Sequence, residues 1–528
     1  MEVFSELIHR LYFTTSNSAK ASILKGYLQS SVDPDRGWAI AALGGTLDLS
    51  LFKRKLVLRL IKSRVDPYLF DASYDYVGDL SETVSLLWPE KRTSHSQALP
   101  SLSQLIEKLY GSSSKETESY LASLLDEMSP IQRWALLKLG TGGLRIGISA
   151  RSVKKTLADF GGVDLQEIEQ LWHAMAPPYA ELFDWLEHKG PKPDITGKIA
   201  FTPMMLAHPL DDKTRNSLNP REWLVEWKYD GIRVQLVKSL EGAAVFSRTG
   251  ENISKSFPEL ESQIPGEAVI DGELVVRRGK KLGSFNDLQK RLNKKKPTKK
   301  DILNYPVAVI AYDLLSLGGW PLKEMALMER RARLARLIQS EKPLTQLSLS
   351  PSISYGSLNR LKQVMEKLTA DKVGHVEGLM VKRKSGRYVS GRPKGEWFKW
   401  KKQPELIDAV LMYAQRGHGK RSSFYSDYTF GLWEDGNLLP IGKAYFGFTD
   451  EELNLIDKWV RTNTRERFGP VRGVKAGLVF EIAFDSVHES ARHKSGVALR
   501  FPRIHRIRWD KPASEADQLA TLKARVIS

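Results

Sequence analysis

The chain contains no cysteine in its 528 residues. Disulfides, cysteine-based zinc sites and a thiol nucleophile are therefore excluded. The sequence also has no apolar run long enough to span a bilayer, which predicts that no membrane is involved. Met1–Glu6 lacks the basic segment and the long apolar core of a signal peptide. We therefore expect a cytoplasmic protein, near the nucleoid of a bacterium or archaeon, or a nuclear protein in a eukaryote.

The common nucleotide-binding fingerprints are missing as well. The glycine-rich stretch Gly140–Gly147 satisfies neither the dinucleotide fingerprint nor the P-loop, and no clear strand precedes it. Gly436–Ala444 has the wrong spacing for a P-loop and lacks its Ser or Thr. Gly140–Gly147 is thus either a connection between helices or a backbone contact to phosphate that Arg145 assists.

Acidic residues are outnumbered by basic ones. The chain has 80 Lys and Arg against 62 Asp and Glu, a net charge of +18. This excess favours a polyanionic partner, nucleic acid before an anionic membrane. The alternative is ordinary charge for solubility. The run Lys294–Lys300 is interpreted as a solvated loop.

The length predicts roughly three domains of ~100–200 residues each. Residues 1–195 show apolar residues at helical spacing and predict an all-α domain. Residues 196–402, which follow the linker-like Gly190–Asp194, mix strands and helices and predict an α+β domain. Residues 403–528 contain short strands and turn signals, which favour a small β-barrel of the oligonucleotide-binding (OB) type.

Local patterns give the expected elements in more detail. The predicted strands are Ala268–Ile270, Leu274–Val276, Val307–Ala311 and Gly378–Val381, with further strands at Leu478–Ile482 and Leu499–Trp509. The predicted helices are Leu322–Ile338, Leu358–Leu368 and Asp450–Thr462. A hairpin is predicted at Tyr428–Ala444, with its turn at Glu434–Asn437.

Lys228 is the strongest candidate for a catalytic residue. It lies on a predicted tight turn between the apolar stretch Trp223–Val225 and the alternating run Ile232–Val237. A lysine held there can be fixed and partly desolvated, the conditions that make an amine nucleophilic. Lowering its pKa from ~10.4 to ~7–8 costs roughly 4 kcal/mol, which neighbouring cations and a bound metal can supply.

Other cations could bind phosphate. Lys399 and Lys401 alternate in Trp397–Lys401, so a strand would place both on one face. That face is either a phosphate site or merely solvated. Arg248 follows the strand-like Ala244–Phe246 and could clamp a phosphate through its guanidinium group.

Two carboxylates fall in strands that look buried. Glu273 and Glu377 are costly there unless a cation or a metal pairs with them. Their hard oxygens suit Mg²⁺, and salt bridges to Lys228 or Lys382 are the alternative. Tyr312 ends a predicted strand, where it could stack on a purine or belong to the core.

The order of these elements resembles a known superfamily. Lys228–Arg233 matches the Lys-x-Asp-Gly-x-Arg signature of covalent nucleotidyltransferases, and the other elements follow in the superfamily's order. These are Ser247–Gly250, Asp271–Glu273, Tyr312–Asp313, Glu377–Lys382, Lys399–Lys401, Arg500–Arg503 and Arg508–Lys511. Over residues 226–511 the chain resembles an ATP-dependent DNA ligase. The resemblance implies that the α+β domain contains antiparallel sheets. Leu139–Gly147 and Phe201–Ala207 carry a fainter likeness to the helical DNA-binding domain and to the entry of the adenylation domain.

The resemblance implies a reaction in three steps. Lys228 attacks the α-phosphorus of ATP, expels pyrophosphate and carries AMP as a phosphoramidate. The AMP then passes to the 5′-phosphate of a nick, and the 3′-hydroxyl displaces it to seal the strand. The implied metal is Mg²⁺, with Mn²⁺ as the other option.

The resemblance also implies a role for each matched residue. Glu226 would read the adenine amino group, Tyr312 would stack on the ring, and Asp230 would align the 3′ end. Arg233 and Arg248 would hold ribose or nick phosphate, and Glu273 and Glu377 would bind Mg²⁺. Lys382, Lys399 and Lys401 would surround the α-phosphate. Arg500, Arg503, Asp510 and Lys511 would orient the departing pyrophosphate from a barrel that closes over ATP and then swings away.

The implied partner is nicked duplex DNA, encircled by a monomer. Backbone contacts are predicted for Arg145, Arg248, Arg416, Lys420 and Arg421. RNA ligases and capping guanylyltransferases share the lysine signature and stay as alternatives, with a non-catalytic DNA-binding protein as a third. The missing cysteines disfavour an NAD⁺-dependent ligase, which usually carries a zinc module.

Overall fold

The computed structural model describes most of the chain, which folds into two compact units. The described residues are 1–46, 52–90, 98–142, 144–292, 294, 296–340, 344–370, 375–416, 425–444, 449–469, 471–490 and 493–526. One unit contains Met1–Leu165, Ala176–Lys192 and Pro404–Ser528, and the other contains Gln166–Met175 and Pro193–Gln403. The elements of each unit are described separately. No helix in the described ranges is long and apolar enough to cross a membrane.

The N-terminal region is helical, as predicted. Its helices are α1 (Glu2–Phe13), α2 (Asn17–Ser30), α3 (Asp35–Gly44), α4 (Arg54–Lys62), α5 (Pro67–Val77), α6 (Leu80–Leu87), α7 (Leu102–Gly111), α8 (Ser114–Glu127), α9 (Pro130–Gly140), α10 (Ala150–Gly161), α11 (Leu165–Trp172) and α12 (Ala180–Leu186). Ser101, Ser113 and Ser129 each form a capping box with a Gln or Glu three residues later, which explains where α7, α8 and α9 begin.

The glycine-rich stretch between α9 and α10 connects two helices, as one of the two interpretations predicted. Gly143 within it lies outside the described residues. Lys20, buried on α2, donates from Nζ to the carbonyls of Ile146 (3.0 Å) and Gly147 (2.7 Å). These bonds fix the connection on the helical core and leave Arg145 exposed.

The central region is α+β with two sheets. Its elements are β1 (His208–Pro209), α13 (Asp212–Asn216), β2 (Trp223–Tyr229), β3 (Ile232–Ser239), β4 (Gly242–Ser247), β5 (Ala268–Arg278), β6 (Lys281–Leu282), α14 (Phe285–Leu292), α15 (Lys299–Asn304), β7 (Val307–Leu317), β8 (Trp320–Pro321), α16 (Leu327–Ser340), β9 (Leu347–Leu349), α17 (Leu358–Ala370), β10 (Val376–Arg383) and β11 (Trp397–Lys401). One sheet has the order β1-β11-β10-β2, and the other has β4-β3-β5-β7-β8 with β6 on β5 and β9 on β7. Most pairs are antiparallel, as predicted. The pairs β1–β11 and β7–β9 are parallel.

Three predictions of local structure were wrong. Lys228 lies within β2, one residue before its end, rather than on a tight turn between two strands. The strands expected at Ala268–Ile270 and Leu274–Val276 form one strand, β5, because Asp271 between them is fully buried and paired rather than solvated. The helix expected from Leu322 begins only at Leu327. Leu322 instead packs into the core of the larger sheet.

The C-terminal region is an antiparallel-sheet domain consistent with the predicted OB fold. Its elements are β12 (Glu405–Arg416), β13 (Tyr425–Glu434), β14 (Asn437–Ala444), α18 (Asp450–Asn463), β15 (Thr464–Phe468), β16 (Val471–Val474), β17 (Val479–Phe484), β18 (Ser486–Glu489), β19 (Val497–Arg500), β20 (Arg503–Arg508) and α19 (Leu519–Lys523). The order is β14-β13-β12-β16-β15, with β17 joining β12 to β20. Asp435 and Gly436 have φ of 50° and 76°. These values suit the hairpin turn predicted at Glu434–Asn437.

Candidate active site

One face of the smaller sheet of the central region carries most of the predicted site. In β2, β10 and β11, Lys228 is opposite Gly378, which is opposite Lys401. One step along, Glu226 is opposite Met380, which is opposite Lys399. Side chains two residues apart share a face, so both rows lie on the same side of the sheet. The opposite face buries the alternate residues, among them Val225, Leu379, Val381 and Phe398, in an apolar core.

Gly378 leaves the space in which the two lysines meet. Its φ is +149°, and a Cβ there would lie 2.0 Å from the carbonyl oxygen of Trp400. Only glycine fits this backbone and this close approach between β10 and β11. The gap in the row lets the side chains of Lys228 and Lys401 reach the same carboxylate.

That carboxylate belongs to Glu377. Its Oε2 lies 2.5 Å from Lys228 Nζ and 3.3 Å from Lys401 Nζ. Burial would raise the pKa of Glu377, but the charges of Lys228 and Lys401 outweigh it and hold the pKa at about 2. Glu377 therefore stays ionised, and the salt bridge predicted for it is present.

Glu273 is the second carboxylate beside Lys228. It lies on β5 and is half-buried. Burial raises the pKa of Glu273 to about 7, although the cations of Lys228 and Arg233 oppose the shift. The charges of Glu377 and Asp230 add to it. Burial and the charged side chains near Lys228 thus set the pKa of Glu273 together.

A cluster of cations surrounds Lys399. Burial lowers the pKa of Lys399, and the charges of Lys401 and Arg392 lower it further. Lys228 and Arg248 act in the same direction. Five basic groups so close together repel one another, which a bound polyphosphate would relieve. Arg248 and Arg392 are exposed, so they can reach a ligand.

Glu226 and Lys382 form a buried ion pair beneath Tyr312. Glu226 Oε2 lies 2.6 Å from Lys382 Nζ, and Glu226 Oε1 lies 2.5 Å from Arg331 Nη1. Lys382 Nζ lies 4.1 Å from the ring centroid of Tyr312 and 4.4 Å from that of Trp397. Burial lowers the pKa of Lys382, and Glu226 opposes that shift. The predicted pairing of Lys382 with Glu273 or Glu377 was wrong, since its partner is Glu226.

Arg233 is held by a buried network on the larger sheet. It donates from Nη2 to Asp271 Oδ2 at 2.7 Å and from Nη1 to the carbonyl of Met205 at 2.5 Å. The hydroxyl of Tyr388 donates to the same Asp271 oxygen at 2.5 Å. Asp271 has no exposed surface. Arg233 therefore supports the wall behind Tyr312, whose ring centroid is 5.7 Å from its guanidinium carbon.

Asp313, next to Tyr312, is anchored separately. Both of its oxygens accept from Arg330, at 2.7 and 2.8 Å, and neither side chain is exposed. Burial raises the pKa of Asp313, and Arg330 opposes that shift. This bidentate pair ties the part of β7 that carries Tyr312 to Arg330 of α16.

The predicted pyrophosphate-binding residues all belong to the C-terminal region, where each contacts a different partner. Lys511 pairs with Asp408 at 2.8 Å, and Asp510 pairs with Arg508 at 2.9 Å. The hydrogen bond from Arg508 lowers the pKa of Asp510 to about 2. Arg503 pairs with Asp485 at 3.0 Å. Arg500 ends β19, with its guanidinium carbon 5.1 Å from the ring centroid of Phe501.

The predicted DNA contacts are scattered over the surface. Arg145, Arg248 and Arg416 are exposed, and Arg416 is the last residue of β12. Lys420 and Arg421 lie outside the described residues. The three described residues are thus available for backbone contacts, but the structure does not assign them.

The sequence interpretation missed several residues of the site. Arg331 pairs with Glu226, and Arg392 belongs to the cation cluster around Lys399. Met380 lies between Glu226 and Lys399 in the sheet, and Asp408 pairs with Lys511. Met380 could have been found, because it alternates with Gly378 and Lys382 in a recognised strand. No local pattern marks the other three.

The carboxylates fit a magnesium site only in part. No group of three His, Asp or Glu side chains in the described ranges forms a complete ligand set. Mg²⁺ usually takes one or two carboxylates and completes its shell with water and substrate phosphate. Glu377 is ionised, and the pKa of Glu273 is raised to about 7. A divalent cation would stabilise the ionised form of both carboxylates.

Lys228, paired with Glu377 on the sheet face that also carries Lys399 and Lys401, has the surroundings expected of a covalent nucleotidyltransferase. Sequence comparison specifies the class. Residues 204–401 match the family described as "ATP dependent DNA ligase domain", and residues 421–511 match "ATP dependent DNA ligase C terminal region". Residues 1–158 match "DNA ligase N terminus".

Similar proteins agree with this class. A "Probable DNA ligase" of Koribacter versatilis (strain Ellin345) is 32% identical, over 98% of this chain and 95% of that protein. "DNA ligase 1" of Korarchaeum cryptofilum (strain OPF8) is 27% identical, over 99% and 97%. A solved structure named Pmar-Lig_PreS3 shares the fold, with a TM-score of 0.60, 16% identity, and coverage of 96% of this chain and 99% of that chain. The chain belongs to the family of ATP-dependent DNA ligases.

Proposed function

We propose that the chain seals nicks in duplex DNA and that Lys228 is the residue that carries AMP. The observation behind this proposal is the position of Lys228 Nζ, 2.5 Å from Glu377 and in the same row as Lys401. The ammonium is fixed on the face where the cations gather. Its neutral form would attack the α-phosphorus of ATP, form the P–N bond and break the bond to pyrophosphate.

The surrounding side chains divide the work of the first step. Lys399, Lys401 and Arg248 would offset charge on the phosphate oxygens, since phosphoryl transfer is catalysed mainly by position and electrostatics. Tyr312 would support the purine ring, with the buried pair of Glu226 and Lys382 behind it. Arg500, Arg503, Asp510 and Lys511 would orient pyrophosphate from the C-terminal domain.

We propose Glu273 and Glu377 as the holders of Mg²⁺, or of Mn²⁺ in its place. The metal would supply charge neutralisation at the phosphates. The chain's part is to keep Glu377 ionised through Lys401 while Lys228 is released from it for attack. Asp230, on the turn after Lys228, would align the 3′-hydroxyl in the last step.

The partner proposed here is a nicked duplex, bound by a monomer that encircles it. The three proposed domains span 1–195, 196–402 and 403–528, and basic residues such as Arg145, Arg248 and Arg416 would contact phosphate. The work would take place wherever the chromosome lies, in the cytoplasm of a bacterium or archaeon. This part of the proposal is supported by the net charge of +18.

The test is a nick-sealing assay with labelled ATP and Mg²⁺. The wild-type protein should become covalently labelled with AMP and should seal a nick in duplex DNA. Lys228→Ala should lose both activities and still bind the nick. Lys238→Ala, which alters a lysine on the neighbouring strand β3, is the matched control and should keep sealing. Sealing by Lys228→Ala would refute Lys228 as the residue that carries AMP. Labelling with GTP in place of ATP would refute ATP as the nucleotide.

A further inference from the structure

The outer face of the C-terminal sheet contains a cleft whose lining residues have no role in the proposed sealing mechanism. Its volume is about 290 Å³. Its lining residues are Tyr413, Gln415, Asp427, Thr429, Lys443, Phe468 and Val471. They come from the five adjacent strands β14, β13, β12, β16 and β15. The lining surface is mostly apolar, and the volume is at the small end of ligand pockets, which suits a single planar ring system.

The register of the strands explains how the cleft forms. Tyr413 on β12 and Glu466 on β15 both face Gly473 on β16, which has no side chain. The side chains of Glu466 and Phe468 both border this gap. Glu466 Cβ and Oε2 would lie 3.3 and 3.5 Å from a Cβ at Gly473, and Phe468 Cε2 would lie 3.7 Å from it. Tyr413 and Phe468 meet nearly edge to face, with centroids 6.4 Å apart. Gly473 is thus the floor between two aromatic walls.

Polar groups border the other end of the cleft. Lys443 Nζ lies 2.7 Å from Asp427 Oδ2 and 3.5 Å from Gln415 Oε1. Asp427, Gln415 and Thr429 offer hydrogen-bond acceptors, and Gln415 and Thr429 also offer donors. An apolar slot that ends in such groups matches a heteroaromatic ring with polar edges better than it matches an aliphatic side chain.

Phe468 is an unusual residue for this position. It is 55% exposed on β15, whose register includes no described partner strand other than β16. A bare apolar edge strand invites aggregation, and charged neighbours usually protect it. Here the neighbours Arg465 and Arg467 are cations at the surface, with Glu466 the acidic exception. Exposed aromatics among cations are typical of surfaces that bind single-stranded nucleic acid.

We propose that this cleft binds one unpaired nucleobase of a DNA strand, stacked on Phe468 and Tyr413. Arg465 and Arg467 alternate with Phe468 along the edge strand β15, so they would reach the phosphates beside that base around the edge of the sheet and not from the floor of the cleft. The proposal goes beyond nick sealing, because a paired nick exposes no unpaired base. It gives the enzyme a site for a frayed end, a gap or a single-stranded tail near the break. The alternative is structural: Phe468 would only cover the gap at Gly473.

The test uses 2-aminopurine, whose fluorescence is quenched by stacking, at one position of a single-stranded oligonucleotide. The full-length wild type should quench it on binding. Phe468→Leu keeps an apolar cover over Gly473 but removes the π face, so it should abolish the quenching and weaken binding about five- to a hundredfold. Phe468→Trp should keep both. Trp320→Leu, which removes another exposed aromatic, from β8, is the control and should behave as the wild type.

Sealing of a fully paired nick serves as the fold control and separates this proposal from the proposed function. All four proteins should seal that nick at similar rates. Equal quenching by Phe468→Leu and the wild type would overturn the proposal. So would sedimentation showing that the wild type self-associates and Phe468→Leu does not, since the patch would then be a protein interface. Loss of paired-nick sealing in Phe468→Leu would also overturn it, by placing Phe468 in the common reaction.

Discussion

At the scale of single residues, the sequence motif predicts several side chains near Lys228, but it does not predict the buried residues that hold the site in place. Lys228, Lys399 and Lys401 share a face as the strand pattern implies, because alternation along a strand is a local property. Glu377 alternates with Leu379 and Val381 and would face the apolar core. It reaches Lys228 and Lys401 at a register irregularity of β10 between Val376 and Gly378, which the sequence does not reveal. Arg331 could not be found in this way. Its partner Glu226 is 105 residues away, and the sequence of α16 gives no sign of which arginine turns inward.

The raised pKa of Glu273 leads to a prediction about stability. Burial raises this pKa from its ordinary value of 4.5 to about 7, so the folded protein binds the proton more tightly than the unfolded chain. The free energy of unfolding should therefore fall as pH rises from about 4.5 to about 7, by the order of 1–3 kcal/mol. In metal-free buffer, the thermal midpoint of the wild type should drop relative to Glu273→Gln across this range.

The comparison with Glu273→Gln isolates this one group, because the glutamine cannot ionise. Parallel midpoints for the two proteins between pH 4.5 and 7 would show that Glu273 titrates normally. Added Mg²⁺ should restore the wild type alone, since the metal stabilises the ionised carboxylate.

At the scale of elements, the type of each segment was predictable and several boundaries were not. The hairpin β13–β14 and the helix α18 follow local turn and capping signals, and both were confirmed. The prediction left Asp271 and Gly272 between two strands, and Asp-Gly pairs are common in turns. They are instead the point where β5 buries a carboxylate for Arg233 and passes close to β7. These contacts are tertiary, so the local sequence does not show that β5 continues through Asp271 and Gly272.

Gly378 provides a prediction at this scale. Gly378→Ala would place a Cβ 2.0 Å from the carbonyl of Trp400 at a φ of +149°. The strands β10 and β11 would have to separate, which should cost about 3 kcal/mol or more. The labelling of Lys228 by ATP should be lost, because Lys401 would move away from Glu377.

Gly356→Ala is the matched control, since a Cβ there meets nothing within 4 Å. Thermal unfolding and labelling by ATP are measured on both variants. Near-normal labelling of Gly378→Ala would contradict the role assigned to this close approach.

At the scale of the whole molecule, composition and fold class point to the same partner. The fold classes predicted for the three regions were confirmed, helical, then α+β, then an antiparallel-sheet domain. The domain boundaries stay a prediction, because the chain divides into two compact units rather than three. Net charge does not depend on the fold, so the charge of +18 is evidence for a polyanionic partner and not for the fold.

Binding of nicked duplex should therefore depend steeply on salt. If the protein contacts 6–10 phosphates, affinity should fall by roughly 10³–10⁵ between 50 and 200 mM salt. Titration of a labelled nicked duplex at several salt concentrations gives the slope, and two unrelated sequences should give the same one. An affinity that does not change with salt, or that differs strongly between the two sequences, would argue against binding through the DNA backbone.

The central claim is that Lys228 carries the nucleotide. The most direct measurement is mass spectrometry of peptides from the full-length protein after incubation with ATP and Mg²⁺. The account predicts one AMP, held through an acid-labile P–N bond, on the peptide that contains Lys228. AMP on a peptide that contains Lys399 or Lys401 instead, or no adduct in a preparation that seals nicks, would contradict it.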